Sequence, residues 1–135
     1  MTQMIALFAL ATLFGGMIFF VAVMAPLVFT RLPAQQAGSF IRAVFPVYYL
    51  YILITSAIAA LALAPHWEGA AMALVAVATL WLRQILMPRI NNLSDAAQAG
   101  DHIAKRKFDQ AHRFSVAVNF AQILAAAIVL ARLAA

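Results

Sequence analysis

The sequence predicts an all-α four-helix transmembrane bundle, and three observations predict it. Hydrophobic residues make up 67% of the 135 and charged residues only 10%, where a soluble domain carries roughly a quarter charged. Four apolar runs stand out, each about long enough to cross a bilayer core, which takes roughly 20 helical residues. The basic residues gather in two of the loops between those runs, as membrane topology requires. A chain this poor in charge could not cover itself in water, so lipid is its natural solvent. The length allows a single integral membrane domain, residues 1–135.

The first run spans about Met4 to Phe29, residues 4–29. Nothing before Arg31 is charged. The run therefore lacks the positive n-region of a signal peptide, is too long for one, and reads as a retained helix. Pro26 comes late in it and Pro33 follows its end. Between Leu32 and Phe45, Ala37, Phe40, Ile41 and Val44 recur at helical spacing. A short interfacial helix is expected there, between spans one and two.

The second run is Pro46 to Ala64, residues 46–64, and Pro46 suits the first turn of its helix, where a missing N–H costs nothing. Ala64 to Gly69 reads as a tight polar turn. The third run is about Ala70 to Met87, residues 70–87, and Pro88 is expected to kink or stop it. Asn91 to Arg113 is the one strongly polar stretch. Ser94 suits a helix N-cap, and Gly100-Asp101 reads as a break and a second cap. Lys105-Arg106-Lys107 then leads without interruption into the fourth run, Phe114 to Leu133, residues 114–133.

Orientation follows from charge. The two long loops carry Arg31, Arg42, Arg89, Lys105, Arg106, Lys107 and Arg113, while the other face carries Arg132. The positive-inside rule puts both long loops in the cytoplasm and both termini outside. The formal charge of +5 is thereby accounted for. The basic cluster is expected against anionic headgroups of the lipid bilayer, and nucleic acid is not the expected partner. A bacterial inner membrane is the expected location.

Polar groups within spans are costly and often functional. In span four His112, Ser115, Asn119 and Gln122 are spaced i, i+3, i+7, i+10. At 100° per residue they form one stripe about 80° wide, reaching about 15 Å inward from the basic end. The stripe is either glue between helices or the wall of a cytoplasm-facing polar cavity with His112 at its mouth. Asp109, one turn earlier, could accept a hydrogen bond from His112. Span three adds Arg83 and Gln84. Arg83 either snorkels to the interface or turns inward to make an anion site with Asn119 or His112. Span two opens with Tyr48, Tyr49 and Tyr51. These rings form an interfacial aromatic belt or line a cavity, Tyr48 among them. Arg83, Gln84, His112, Ser115, Asn119, Gln122 and Tyr48 are thus the candidate ligand-binding residues. Small residues four apart, Ala11/Gly15 and Thr12/Gly16 in span one and Ala117/Ala121/Ala125 in span four, allow close helix approach within the bundle or along a homodimer seam.

With no cysteine, disulfides, iron–sulfur clusters and thiol nucleophiles are excluded. No serine nucleophile motif, paired carboxylates, phosphate loop or HExxH helix is present, so no catalytic residue and no metal ligand set is assigned and an enzyme is not the expected class. The cofactor is left unknown; heme on His112, alone or shared by two chains, is the one specific candidate. Met17 and Met24 could be soft ligands for Cu(I), but read better as core.

Several short segments carry a family resemblance. They are Gly15-Gly16 with Ala25-Pro26-Leu27-Val28-Phe29, Ala37-Gly38 leading to Phe45-Pro46-Val47-Tyr48-Tyr49, Arg83 before Pro88-Arg89-Ile90-Asn91, and Phe108 to Ser115 with Asn119. Together they resemble the transmembrane protein 205-like family, whose bacterial members are small four-helix proteins carrying a domain of unknown function. The resemblance implies the four-helix membrane fold and no assigned reaction. If the family shares a site, it implies Arg83, His112, Ser115 and Asn119. The leading expectation is a non-enzymatic membrane protein that binds a small ligand in the polar cleft or serves as an accessory subunit of a larger membrane complex. The alternatives are a dimeric transporter or exporter of metal or drug-like cations, and a heme- or quinone-linked redox protein.

Overall fold

A computed structural model describes all 135 residues. Four long helices make up nearly the whole chain: α1 (Thr2–Arg31), α2 (Ala34–Ala62), α3 (Trp67–Gln98) and α4 (His102–Ala134). All four are long and apolar enough to cross a membrane. Even the shortest, at 29 residues, measures about 43 Å. That exceeds a hydrocarbon core of about 30 Å, so each helix projects beyond it.

Proline and glycine set the breaks. Leu32 is extended (φ −105°, ψ 145°), because the residue before a proline is pushed out of the helical region, and α1 ends there. At the end of α3, Gly100 takes φ 101°, which a residue with a Cβ rarely adopts. Gly100 N–H donates to Ala97 O and Asp101 N–H to Ala96 O, both at 3.1 Å, closing the helix with a Schellman turn. Asp101 then caps α4, its Oδ1 accepting from Ile103 N–H at 2.9 Å and Ala104 N–H at 3.0 Å. Gly100-Asp101 is thus the break and cap that its sequence predicts.

Three local expectations are corrected. The segment expected as a separate interfacial helix is the first part of α2, which runs unbroken from Ala34 through Pro46. Its helical spacing is real, but nothing between Ala34 and Pro46 ends a helix. Pro46 lies in the interior and not in the first turn. Likewise α3 runs through Pro88, so Ser94 lies inside a helix and caps nothing. Its hydroxyl accepts from Gln98 Nε2 at 3.4 Å.

Pro88 is accommodated by one wider turn. Over Leu82–Leu86 the backbone is π-helical, and Met87 N–H reaches Leu82 O. The same device precedes Pro26, where Phe20–Met24 is π-helical and Ala25 N–H reaches Phe20 O. A proline ring crowds the carbonyl four residues back, and the wider turn relieves that crowding. The two devices lie 62 residues apart. The motif Ala-x-Gln-Ala-Gly recurs at the same offset, at Ala34–Gly38 and Ala96–Gly100. The two copies occupy different places, the first turn of α2 and the C-terminal end of α3.

The helices close a ring in chain order, α1 to α2 to α3 to α4 and back to α1. Leu10, Leu13 and Met17 of α1, Ile52 of α2, Met72 and Leu82 of α3, and Ala126 and Val129 of α4 fill its centre. The outside is apolar too: Phe8, Leu61, Leu74, Val77 and Leu124 are each more than 60% exposed. In water such a shell would drive aggregation. In hydrocarbon it is the solvated surface, and the helices satisfy their own backbone. The chain is a membrane protein.

Two glycines mark close approaches. A Cβ on Gly16 would collide with the Tyr51 phenol ring, and one on Gly69 would lie 2.9 Å from Ala60 O. Gly16 therefore packs inside the bundle, α1 on α2, where Tyr51 Oη also donates to Thr12 O. Of the two small pairs on α1, Ala11/Gly15 is exposed at both positions, whereas Gly16 of the other pair is covered by Tyr51. At the far end from the basic loops, Arg132 meets Glu68 at 3.6 Å and lies 5.3 Å over the Trp67 ring.

Candidate functional site

The half of the bundle nearest the basic loops is loosely filled. Two cavities adjoin there, of about 210 and 220 Å³. They share Phe29 of α1, Ile41, Phe45 and Tyr49 of α2, and His112 and Ser115 of α4. They form one cleft. Its outer lobe reaches Arg42, Asn91 and Ser94. Its inner lobe reaches Phe20, Tyr48, Asn119 and Phe120.

The cleft lies beside and beyond the wider turn of α1. Thr2–Phe19 packs on α4, but Ala25–Arg31 packs on α2 and makes no comparable packing with α4. The gap between those two helices is the cleft.

The polar wall has few members. Tyr48 is buried and stacks on Phe20, with ring centroids 4.1 Å apart and planes at 19°. Asn119 Nδ2 donates to the Tyr48 hydroxyl oxygen at 3.1 Å. This bond crosses from α2 to α4, which face each other across the ring. Ser115 is buried, and its hydroxyl donates to His112 O at 2.7 Å, a bond within the helix that leaves the oxygen free to accept. The His112 ring lies parallel to Phe108 at 5.8 Å and borders both lobes. The expected partner of His112, Asp109, instead pairs with Lys105 at 3.3 Å. Residues four apart on a helix surface meet readily, and a lysine chain has the reach.

Tyr49 was absent from the expected set. It is only 5% exposed, borders both lobes, and its hydroxyl has no partner in the chain. Adjacent residues on a helix point about 100° apart, so Tyr48 and Tyr49 serve different parts of one wall. Both rings are buried, so neither belongs to a lipid-facing belt. The signal for them was the aromatic density of Phe45, Tyr48, Tyr49 and Tyr51.

The remaining candidates do not converge on the cleft. Arg83 Nε donates to Pro46 O at 3.2 Å. It lines neither lobe, so no anion site with Asn119 or His112 is formed. Gln84 is on the exposed face of α3. Gln122 is buried deeper, between α4 and α3. Its Nε2 donates to Thr79 Oγ1 at 2.9 Å, while its Oε1 has no partner. The stripe on α4 is thus divided: His112, Ser115 and Asn119 face the cleft, and Gln122 joins two helices.

One cation borders the outer lobe, and it is paired. Arg42 Nη2 donates to Asp95 Oδ1 at 2.8 Å and to Asn91 O at 2.7 Å. This clasp ties the projecting arms of α2 and α3 together.

A model of a family described as a domain of unknown function, DUF4149, matches residues 8–99. The chain belongs to that family. The match takes in nearly all of α1, α2 and α3, and with them Tyr48, Tyr49 and Arg83. His112, Ser115 and Asn119 lie on α4, beyond it. No match is found among curated proteins or among solved structures.

Proposed function

We propose that this small polytopic membrane protein binds a small ligand in the cleft between α1, α2 and α4. The observation that supports it most is the Tyr49 hydroxyl, which has no partner in the chain and belongs to a buried ring lining an aromatic cleft shared with His112, Ser115 and the Tyr48–Asn119 pair. Small-molecule sites are typically concave and apolar with a few placed polar groups. The cleft has that composition, and together its lobes come to the lower end of the usual 300–1,000 Å³. Nothing in it assembles a nucleophile with a base, so the reading is binding without catalysis. The seven basic residues at this end orient the cleft to the cytoplasm, and a bacterial inner membrane is the location that fits. Of the positions that the resemblance to the transmembrane protein 205-like family implies, His112, Ser115 and Asn119 line this cleft and Arg83 does not.

A second reading is an accessory subunit of a larger membrane complex. One observation favours it: Ala11 and Gly15 form an open small-residue face, with nothing within 4 Å of a Cβ added at Gly15. Purification at native abundance tests it, since an accessory subunit migrates with its partners.

Native mass spectrometry of the chain released from nanodiscs tests the first reading. The expected result is a retained small molecule that Ser115→Phe, which fills the cleft, removes while the protein stays monodisperse. A wild-type chain that retains nothing and takes up no added ligand would contradict the proposal.

A further inference from the structure

The cleft opens sideways into the bilayer. Val116 and Phe120 of α4 and Phe29 of α1 border it and are also 40%, 56% and 62% exposed on the outer surface. Beyond its wider turn, α1 no longer packs on α4, so nothing of this chain closes the seam at that depth. A molecule dissolved in lipid can enter without crossing water.

The lining sets the kind of molecule. Phe20, Phe29, Phe45, Tyr48, Tyr49 and Phe120 offer ring faces and edges, which suit a flat partner. The Tyr49 hydroxyl is a donor without an acceptor, and a carbonyl supplies one. No unpaired arginine or lysine borders the cleft: Arg42 is held by Asp95 and Asn91, and Arg83 is turned to Pro46. An anionic head would lose its hydration there with no cation in return. His112, at the mouth, is the one remaining titratable group there besides the tyrosines.

We infer that the ligand is a neutral, ring-shaped carbonyl compound drawn laterally from the membrane, of the lipid quinone class, with its ring in the inner lobe and a carbonyl accepting from Tyr49. The inference rests on the cleft being a binding site, and it names the occupant.

The test uses the full chain in nanodiscs, titrated with decylubiquinone and, separately, with decanoate as an anionic head on a tail of equal length. Bound mass is read by native mass spectrometry. The expected result is one quinone per chain, about tenfold weaker binding by Tyr49→Phe, and loss of binding in Ala25→Phe, which plugs the lateral seam. Decanoate is expected to bind at least tenfold more weakly than the quinone. Size-exclusion behaviour like that of the wild type verifies that each variant folds. Decanoate binding as tightly as the quinone overturns the neutral-ligand inference and leaves the cleft reading standing. Quinone binding that neither substitution changes places it elsewhere on the protein and overturns the inference too. A chain that retains nothing and takes up neither probe overturns both.

Discussion

Gly16 has no room for a side chain, because the Tyr51 phenol occupies the place a Cβ would take. Gly16→Ala is therefore expected to displace the Tyr51 phenol and break its bond to Thr12 O, destabilising the bundle by about 1 kcal/mol. Gly15, one residue earlier, has open space around it. There the alanine is expected to stabilise by up to about 1 kcal/mol, through helix propensity alone. Reversible unfolding in mixed detergent micelles measures both, and equal effects would contradict the packing described. Gln122 supports a second prediction of the same kind. Its Oε1 is buried without a donor, a loss of about 1–3 kcal/mol. Its bond to Thr79 contributes about 0.6 kcal/mol, the average for such bonds in membranes. Gln122→Leu should leave stability unchanged or raise it in the same titration. A clear loss would mean that the oxygen has a partner after all. None of this was visible in the sequence, where Gly15 and Gly16 are indistinguishable and Gln122 continues the stripe of His112. Which neighbour a side chain meets depends on helix rotation, and periodicity fixes that only to within a face.

At the scale of the helices, the breaks were legible wherever the chemistry was local. Gly100-Asp101 needs only a left-handed residue and a capping carboxylate, and both act on adjacent backbone. A proline forbids one hydrogen bond and one close contact. At Pro88, where a kink or a stop was expected, the helix continues by widening one turn. At Pro46 it continues as regular α-helix, which the proline alone did not suggest. Apolar sequence on both sides of Pro26 favours continuing, because an interrupted helix in hydrocarbon exposes backbone groups that nothing satisfies. The wider turn before Pro26 is expected to hold α1 away from α4. The chain contains no cysteine, so Leu27→Cys and Arg113→Cys can be spin-labelled as the only pair. Replacing Pro26 by alanine in that background should bring the labels closer by a few ångströms in dipolar spectroscopy. An unchanged distance would mean that some other contact holds the seam open.

For the whole molecule, the class of fold was readable because lipid imposes it. Four runs of about 20 apolar residues have few alternatives to spanning a bilayer as helices. The cleft was only half legible. His112, Ser115 and Asn119 were marked by their spacing on one helix, and Tyr48 by its place at a span end. The partners of that face, Phe20, Phe29 and Tyr49, lie about 60–100 residues away in the chain, and no local pattern relates them. Arg83 shows the converse. A cation expected to meet the stripe from its depth in span three is drawn instead to the Pro46 carbonyl. The basic half of this bundle is open where the other half is closed. Cysteine accessibility tests this, with the chain in native membranes and a small thiol reagent. Ser115→Cys should react more slowly than Ser39→Cys on the exposed arm of α2, but far faster than Ile52→Cys in the closed core. Reactivity at Ser115→Cys as low as that at Ile52→Cys would contradict the cleft, and with it the function proposed for it.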